Sequence, residues 1–104
     1  MTLYLYRLIP PRTKTFAVDM TPDEAKVMHA HVEYWKDYAA MGKVLVFGPV
    51  ADPEGAFGIA VIMAEDGEDL APLCQGDPAI RSAMGFSYKL HSMPQFGLSS
   101  KVSR

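Results

Sequence analysis

TPDEAKVMHAHVEYWKDYAAMGKVLVFGPV, residues 21–50, holds a complete helix and the strand that follows it. Thr21-Pro22-Asp23-Glu24 supplies an N-cap hydroxyl, a proline at the first helical position, acids in the first turn and a glutamate at the third. The helix is predicted to run to Met41 and stop at Gly42. Within it Val27, Met28, His31, Tyr34, Trp35, Tyr38 and Met41 recur at steps of three and four and form one stripe. Lys26, His29, Glu33, Lys36 and Asp37 fall largely outside it. His31 therefore sits on the stripe that faces the core, while His29, about 200° away around the helix, reads as a solvated surface residue. Val44–Val50 is a strand, with Gly48-Pro49 at its end.

On either side of this block the patterns change. Residues 2–9 are Leu, Tyr and Ile rich and stop at Pro10-Pro11, which cannot continue a ladder. Arg12–Met20 has no clear period and reads as a loop. Asp52-Pro53-Glu54-Gly55 is turn chemistry, so Phe57–Ala64 pairs with Val44–Val50 as a hairpin. Gly67–Gln75 reads as a short helix, broken at Gly76. Asp77-Pro78 starts another, with Asp77 as its N-cap. Phe86–Met93 alternates like a strand with one wet face. The order is β-α-β-β-α-β: an α+β, ferredoxin-like domain with two helices on one face of a four-stranded antiparallel sheet. The domain spans 1–94, and 95–104 is a Ser-rich tail that reads as a loose extension or a partner-binding arm.

In the first three strands both alternating sets are largely apolar: Leu3 and Leu5 against Tyr4, Tyr6 and Leu8; Val44 and Val46 against Leu45 and Phe47; Phe57, Ile59, Val61 and Met63 against Ala60 and Ile62. Helices cover only one of these faces. The other predicts a homodimer packed sheet to sheet, unless the C-terminal tail folds back over it.

Composition narrows the function. The chain has 104 residues, 49% hydrophobic and 21% charged, values of a single globular domain. A net charge of -2 without a basic run gives no case for nucleic acid or an anionic membrane surface. One cysteine, the absence of a signal-peptide pattern at Met1–Arg7 and the lack of an apolar span predict a cytoplasmic protein. No Gly-rich phosphate loop occurs, and no cofactor is indicated. His29 and His31 are too closely spaced to share a helical face as metal ligands, so no metal site is expected. Cys74 has no neighbouring histidine and reads as a packing residue; the scattered methionines read as core filler.

For the remaining candidates two readings stand side by side. His31 is either a core histidine satisfied by a carbonyl or tyrosine hydroxyl, or a general acid/base, since imidazole titrates near neutral pH. Asp77 has a sufficient structural reason as an N-cap. Gly48 and Pro49 end a strand, although glycine there also admits a ligand close to the backbone. Arg81 reads as a surface residue or an anion contact.

Three segments together resemble the YCII-related (YciI-like) family: His31-Val32-Glu33-Tyr34-Trp35, then Gly42-Lys43-Val44-Leu45-Val46-Phe47-Gly48-Pro49, then Gly76-Asp77-Pro78-Ala79-Ile80. The resemblance covers roughly residues 2 to 93. It departs at Gly76, where alanine is common, and in residues 10–20 and the tail after Pro94, which have no counterpart. It implies a ferredoxin-like fold of the dimeric α/β-barrel group and an active site centred on His31 and Asp77, with Gly48 and Pro49 lining the cleft. A carboxylate on one imidazole nitrogen fixes the tautomer and makes the other more basic. The expected function is then a small cofactor-independent lyase or isomerase. Its ligand would be a small, ring-bearing or otherwise apolar molecule held by Tyr6, Tyr34, Trp35 and Phe47. Some members are linked to chloride elimination from chlorinated hydroxyquinones, chemistry that suits such a pair. The competing expectation is a non-catalytic ligand-binding or accessory module in which His31 completes the core.

Overall fold

The computed structural model describes residues 1–101. Strand β1 (Thr2–Ile9) is followed by a one-turn helix α1 (Phe16–Asp19) and the long helix α2 (Pro22–Ala40). Strands β2 (Val44–Val50) and β3 (Phe57–Ala64), short helices α3 (Ala71–Gln75) and α4 (Pro78–Arg81), and strand β4 (Ser87–Met93) complete the order. The sheet runs β2-β3-β1-β4 with every neighbouring pair antiparallel. This is the ferredoxin-like βαββαβ arrangement, with α1 added and the second helix split in two. No helix among the described residues is long and apolar enough to cross a membrane.

Helix α2 starts where its residue types dictate. The Thr21 hydroxyl accepts from the Glu24 N–H at 3.1 Å, and the Glu24 carboxylate accepts from the Thr21 N–H at 2.9 Å. This reciprocal box satisfies two N–H groups that a helix start otherwise leaves orphaned. His31 and Trp35 are buried in the sheet-facing stripe, with Val27, Met28, Tyr34 and Tyr38 partly buried beside them. Met41 does not share that burial: it is the C-cap, 67% exposed. The helix has ended by then, so the 3.6-residue period no longer turns the side chain inward.

The inner face of the sheet carries Tyr6 and Leu8 of β1, Ala60, Ile62 and Ala64 of β3, and Val44 of β2, packed with Trp35, Leu70, Cys74 and Ala79. In β2 strict alternation fails. Val44 pairs with Ile62 but Val46 pairs with Val61, so Leu45 is an extra residue at this edge. Such a bulge shifts every later side chain to the other face. Val44 and Phe47 thus share the core side, while Val46, expected beside Val44, is 54% exposed. On the outer face Leu3 is buried, and Leu5, Ile59, Val61 and Met63 are half-buried.

Two other expectations change. Residues 12–20 are not a plain loop: the Phe16 N–H bonds the Arg12 carbonyl and the Asp19 N–H the Thr15 carbonyl, closing the single turn of α1. One isolated turn shows no sequence period, which is why it escapes a pattern reading. The second helix starts at Ala71 and not at Gly67, which adopts φ +77°. Within the tail, Phe96 and Leu98 are half-buried; residues 102–104 lie outside the described residues. Replacing Thr21 by Ala is expected to lower stability by about 1 kcal/mol, measured by urea unfolding with an unchanged denaturant slope.

Candidate active site

Asp77 is the N-cap of α4, and its carboxylate accepts from the Ala79 N–H at 2.9 Å. That cap explains one of its hydrogen bonds. The others come from distant elements. The Tyr6 hydroxyl of β1 donates to Oδ2 at 2.8 Å, and the Trp35 indole Nε1 of α2 donates to the same oxygen at 2.7 Å. Nδ1 of His31 lies 2.8 Å from Oδ2 and 3.0 Å from Oδ1. Asp77 is 0% exposed. An aspartate so buried needs this number of donors, since an unpaired carboxylate away from water is strongly disfavoured.

The charge states follow. Burial alone raises the Asp77 carboxyl; the hydrogen bond and charge of His31 and the donors from Trp35 and Ala79 outweigh it, leaving it below the ordinary aspartate value. An ionised carboxylate accepts only, so Nδ1 of His31 carries the hydrogen and the ring is held in one orientation. Burial, then the neighbouring Asp77 charge, pushes the Tyr6 phenol far up and keeps it a donor. Burial and Asp77 also push the Cys74 thiol up to about 11. A thiol held in that form is a poor nucleophile.

The His31 side chain is 11% exposed, and it lines a cavity of about 360 Å³ at the Pro49 end of the sheet. Among the described residues Nε2 has no hydrogen-bond partner, and it is not one of the sealed unpartnered atoms. The imidazole thus offers the cavity its free nitrogen. The rest of the lining is apolar: Phe47, Phe57, Phe86 and Phe16 form the aromatic walls, with Met20, Met28, Leu8, Gly48 and Pro49. A wider depression of about 690 Å³ opens at the other end, around Met1, Met41 and Met63, and contains neither His31 nor Asp77. Among the described residues no group of three or more His, Cys, Asp or Glu side chains is arranged to hold a metal ion.

The residues picked out from sequence divide into three sets. His31, Phe47, Gly48 and Pro49 meet at the cavity. Tyr6 and Trp35 stand behind His31 as donors to Asp77, their rings 4.7 Å apart between centres and tilted by 41°, and are not part of the lining. Tyr34 is a further layer back: it meets Trp35 edge-on at 5.4 Å and donates to the Leu73 carbonyl at 2.8 Å. A Cβ at Gly76 would lie 2.5 Å from that hydroxyl, so glycine at this position leaves room for Tyr34. Arg81 is exposed on α4 and is not among the lining residues. The sequence reading missed Phe16, Met20, Phe57 and Phe86 as walls. Phe16 and Met20 lie in the unpatterned segment, and Phe57 and Phe86 stand at strand starts, where alternation is shortest.

Asp77→Asn is expected to cost about 3 kcal/mol at neutral pH, since it leaves buried donors facing an amide. The folded carboxyl titrates below its unfolded value, so its stabilisation is complete above about pH 4 and is lost as pH falls through the folded value. Urea unfolding at neutral pH and at about pH 3 should therefore show a larger acid loss for the native protein than for Asp77→Asn.

Comparison with curated proteins and with solved structures gives no match. Comparison with known families gives one: residues 6–94 match the YCII-related domain. The matched span includes β1 from Tyr6 onward, α2 with His31, the Gly48-Pro49 strand end and Asp77. The observed strand order is that of the ferredoxin-like, dimeric α/β-barrel fold implied by the sequence resemblance. The chain belongs to the YCII-related domain family.

Proposed function

We propose that this protein is a small cofactor-independent lyase or isomerase in which His31 moves a proton and Asp77 orients it. One observation carries the reading. Among the described residues, His31 is the only titratable side chain lining an otherwise apolar cavity, and its second nitrogen is anchored on a buried carboxylate. Nε2 would take a proton from an acidic C–H or O–H, with the electron pair passing to an adjacent carbonyl or leaving group. Asp77 stabilises the imidazolium that results. The phenylalanine walls favour a neutral, ring-bearing ligand and exclude water, which strengthens the electrostatics of the step. Cys74, buried and held as a thiol, supplies no nucleophile. A lone free thiol suits the cytoplasm, where we place the protein.

The same reading includes a homodimer through the outer sheet face. Leu5, Ile59 and Val61 are apolar and half-buried there. Arg7 lies over the Phe57 ring at 4.3 Å, so its charged head leaves apolar surface beside it.

Proton transfer can be read without the natural substrate. In deuterated buffer a neutral enolisable ring ketone such as 2-tetralone should lose its α-protons faster with the protein than with buffer alone, followed by NMR. His31→Ala should lose that acceleration by about 100-fold or more. Binding of the ketone with equal, unaccelerated exchange in both proteins would instead favour a non-catalytic binding module. For assembly, sedimentation at micromolar concentration should give the mass of two chains, and Val61→Lys, at the centre of the outer face, the mass of one.

A further inference from the structure

One wall of the His31 cavity is built by a segment whose backbone hydrogen bonds, among the described residues, stay within it, while Pro11 and Thr13 sit against Gly85 and Gly55 and Phe16 meets Phe86 edge-on. Phe16, Ala17 and Met20 line the cavity from residues 10–20. The backbone hydrogen bonds of that segment are local: Phe16 N–H to Arg12 O at 2.8 Å, and Val18 and Asp19 N–H to Thr15 O at 2.9 Å. Val18 on its outer side is 88% exposed.

Arg12 makes the tie to the long helix. Its Nη1 and Nη2 donate to the two oxygens of Glu24 at 2.9 and 2.7 Å. Its Nε and Nη2 also donate to Oδ1 of Asp19 at 3.2 and 3.0 Å. One planar guanidinium thus forks between α1 and the first turn of α2, a geometry lysine cannot reproduce. The hydrogen bonds from Arg12, then that from the Thr21 N–H, hold the Glu24 carboxyl down at about 2. Oε1 of Glu24 serves both the fork and the capping box, accepting from Arg12 Nη2 and from the Thr21 N–H, while the Thr21 hydroxyl accepts from the Glu24 N–H independently of Arg12. The ends of the segment are defined as well. Pro11 packs on Gly85 (φ +93°), where a Cβ would come within 2.9 Å of the proline ring, and Met20 is extended between the two helices.

We propose that residues 10–20 are a lid over the cavity and that Arg12 is the positioning residue that latches it. Opening of the Arg12 fork swings Phe16 and Met20 away from the space in front of His31 and admits the ligand; closing it seals the ligand against Nε2. The inference rests on the reading of this cavity as the ligand site, but its test measures access to the imidazole and not catalysis.

Diethyl pyrocarbonate acylates accessible imidazole nitrogen, and His29, exposed on α2, serves as the internal reference. Peptide mass spectrometry should show His31 reacting more slowly than His29 in the native protein. Arg12→Met should raise the His31 rate several-fold with His29 unchanged, and Arg12→Lys should fall between the two. If Arg12→Met raises both rates through unfolding, Glu24→Gln, whose amide oxygen still accepts from the Thr21 N–H but which loses the charged pair with Arg12, decides: its His31 rate rises alone if the lid is latched. A His31 rate equal to the native one in the folded variants overturns the proposal.

Discussion

The buried carboxylate of Asp77 sets the terms for the rest of the structure. Its donors come from β1, α2 and α4, so the sheet, the long helix and the short one are all fixed with respect to one charged group. None of these elements can shift without leaving a buried polar atom unpaired, a cost of several kcal/mol. Core and site are consequently one unit here. Packing Tyr6 against Trp35 and orienting His31 are the same structural act. A hydrophobic replacement of the whole cluster could keep the fold stable, but it would free the imidazole to rotate.

Much of this was legible in the sequence because it rested on strong local signals. Thr21-Pro22-Asp23-Glu24 gave the start of α2 from capping chemistry alone, and the three- and four-residue steps put His31 on the inner stripe. The Asp77-Pro78 pair announced a helix start. What no periodicity could show is that Tyr6, Trp35 and His31 converge on that cap, since the contacts cross 42 to 71 positions of chain. The family resemblance supplied the His31–Asp77 pairing. Of the aromatic residues singled out around His31, Phe47 lines the cavity, while Tyr6, Trp35 and Tyr34 lie outside its lining. Tyr6 and Trp35 have hydrogen-bonding tips, and buried tips seek partners, so they went behind the histidine to the carboxylate. Phenylalanines, which have no such demand, took the cavity walls.

Two features lay beyond pattern reading for different physical reasons. The bulge at Leu45 inserts one residue into a run that is apolar on both faces, so no polar residue marks the change of phase. Helix α1 is one turn long and owes its place to Arg12 reaching 12 positions along the chain to Glu24. Glu24 already had an explanation in the sequence as part of the capping box, and an explained residue conceals a second role.

The bulge and Pro49 share an edge. With strand order β2-β3-β1-β4, the free side of β2 is one of only two places where a foreign strand could join the sheet. There Leu45 breaks the ladder's spacing and Pro49 lacks an N–H to offer. The small apolar domain is thereby protected from lateral growth into ribbons along that border. On that side of the sheet, whatever sticks to this molecule must do so across its surfaces and not along its seam.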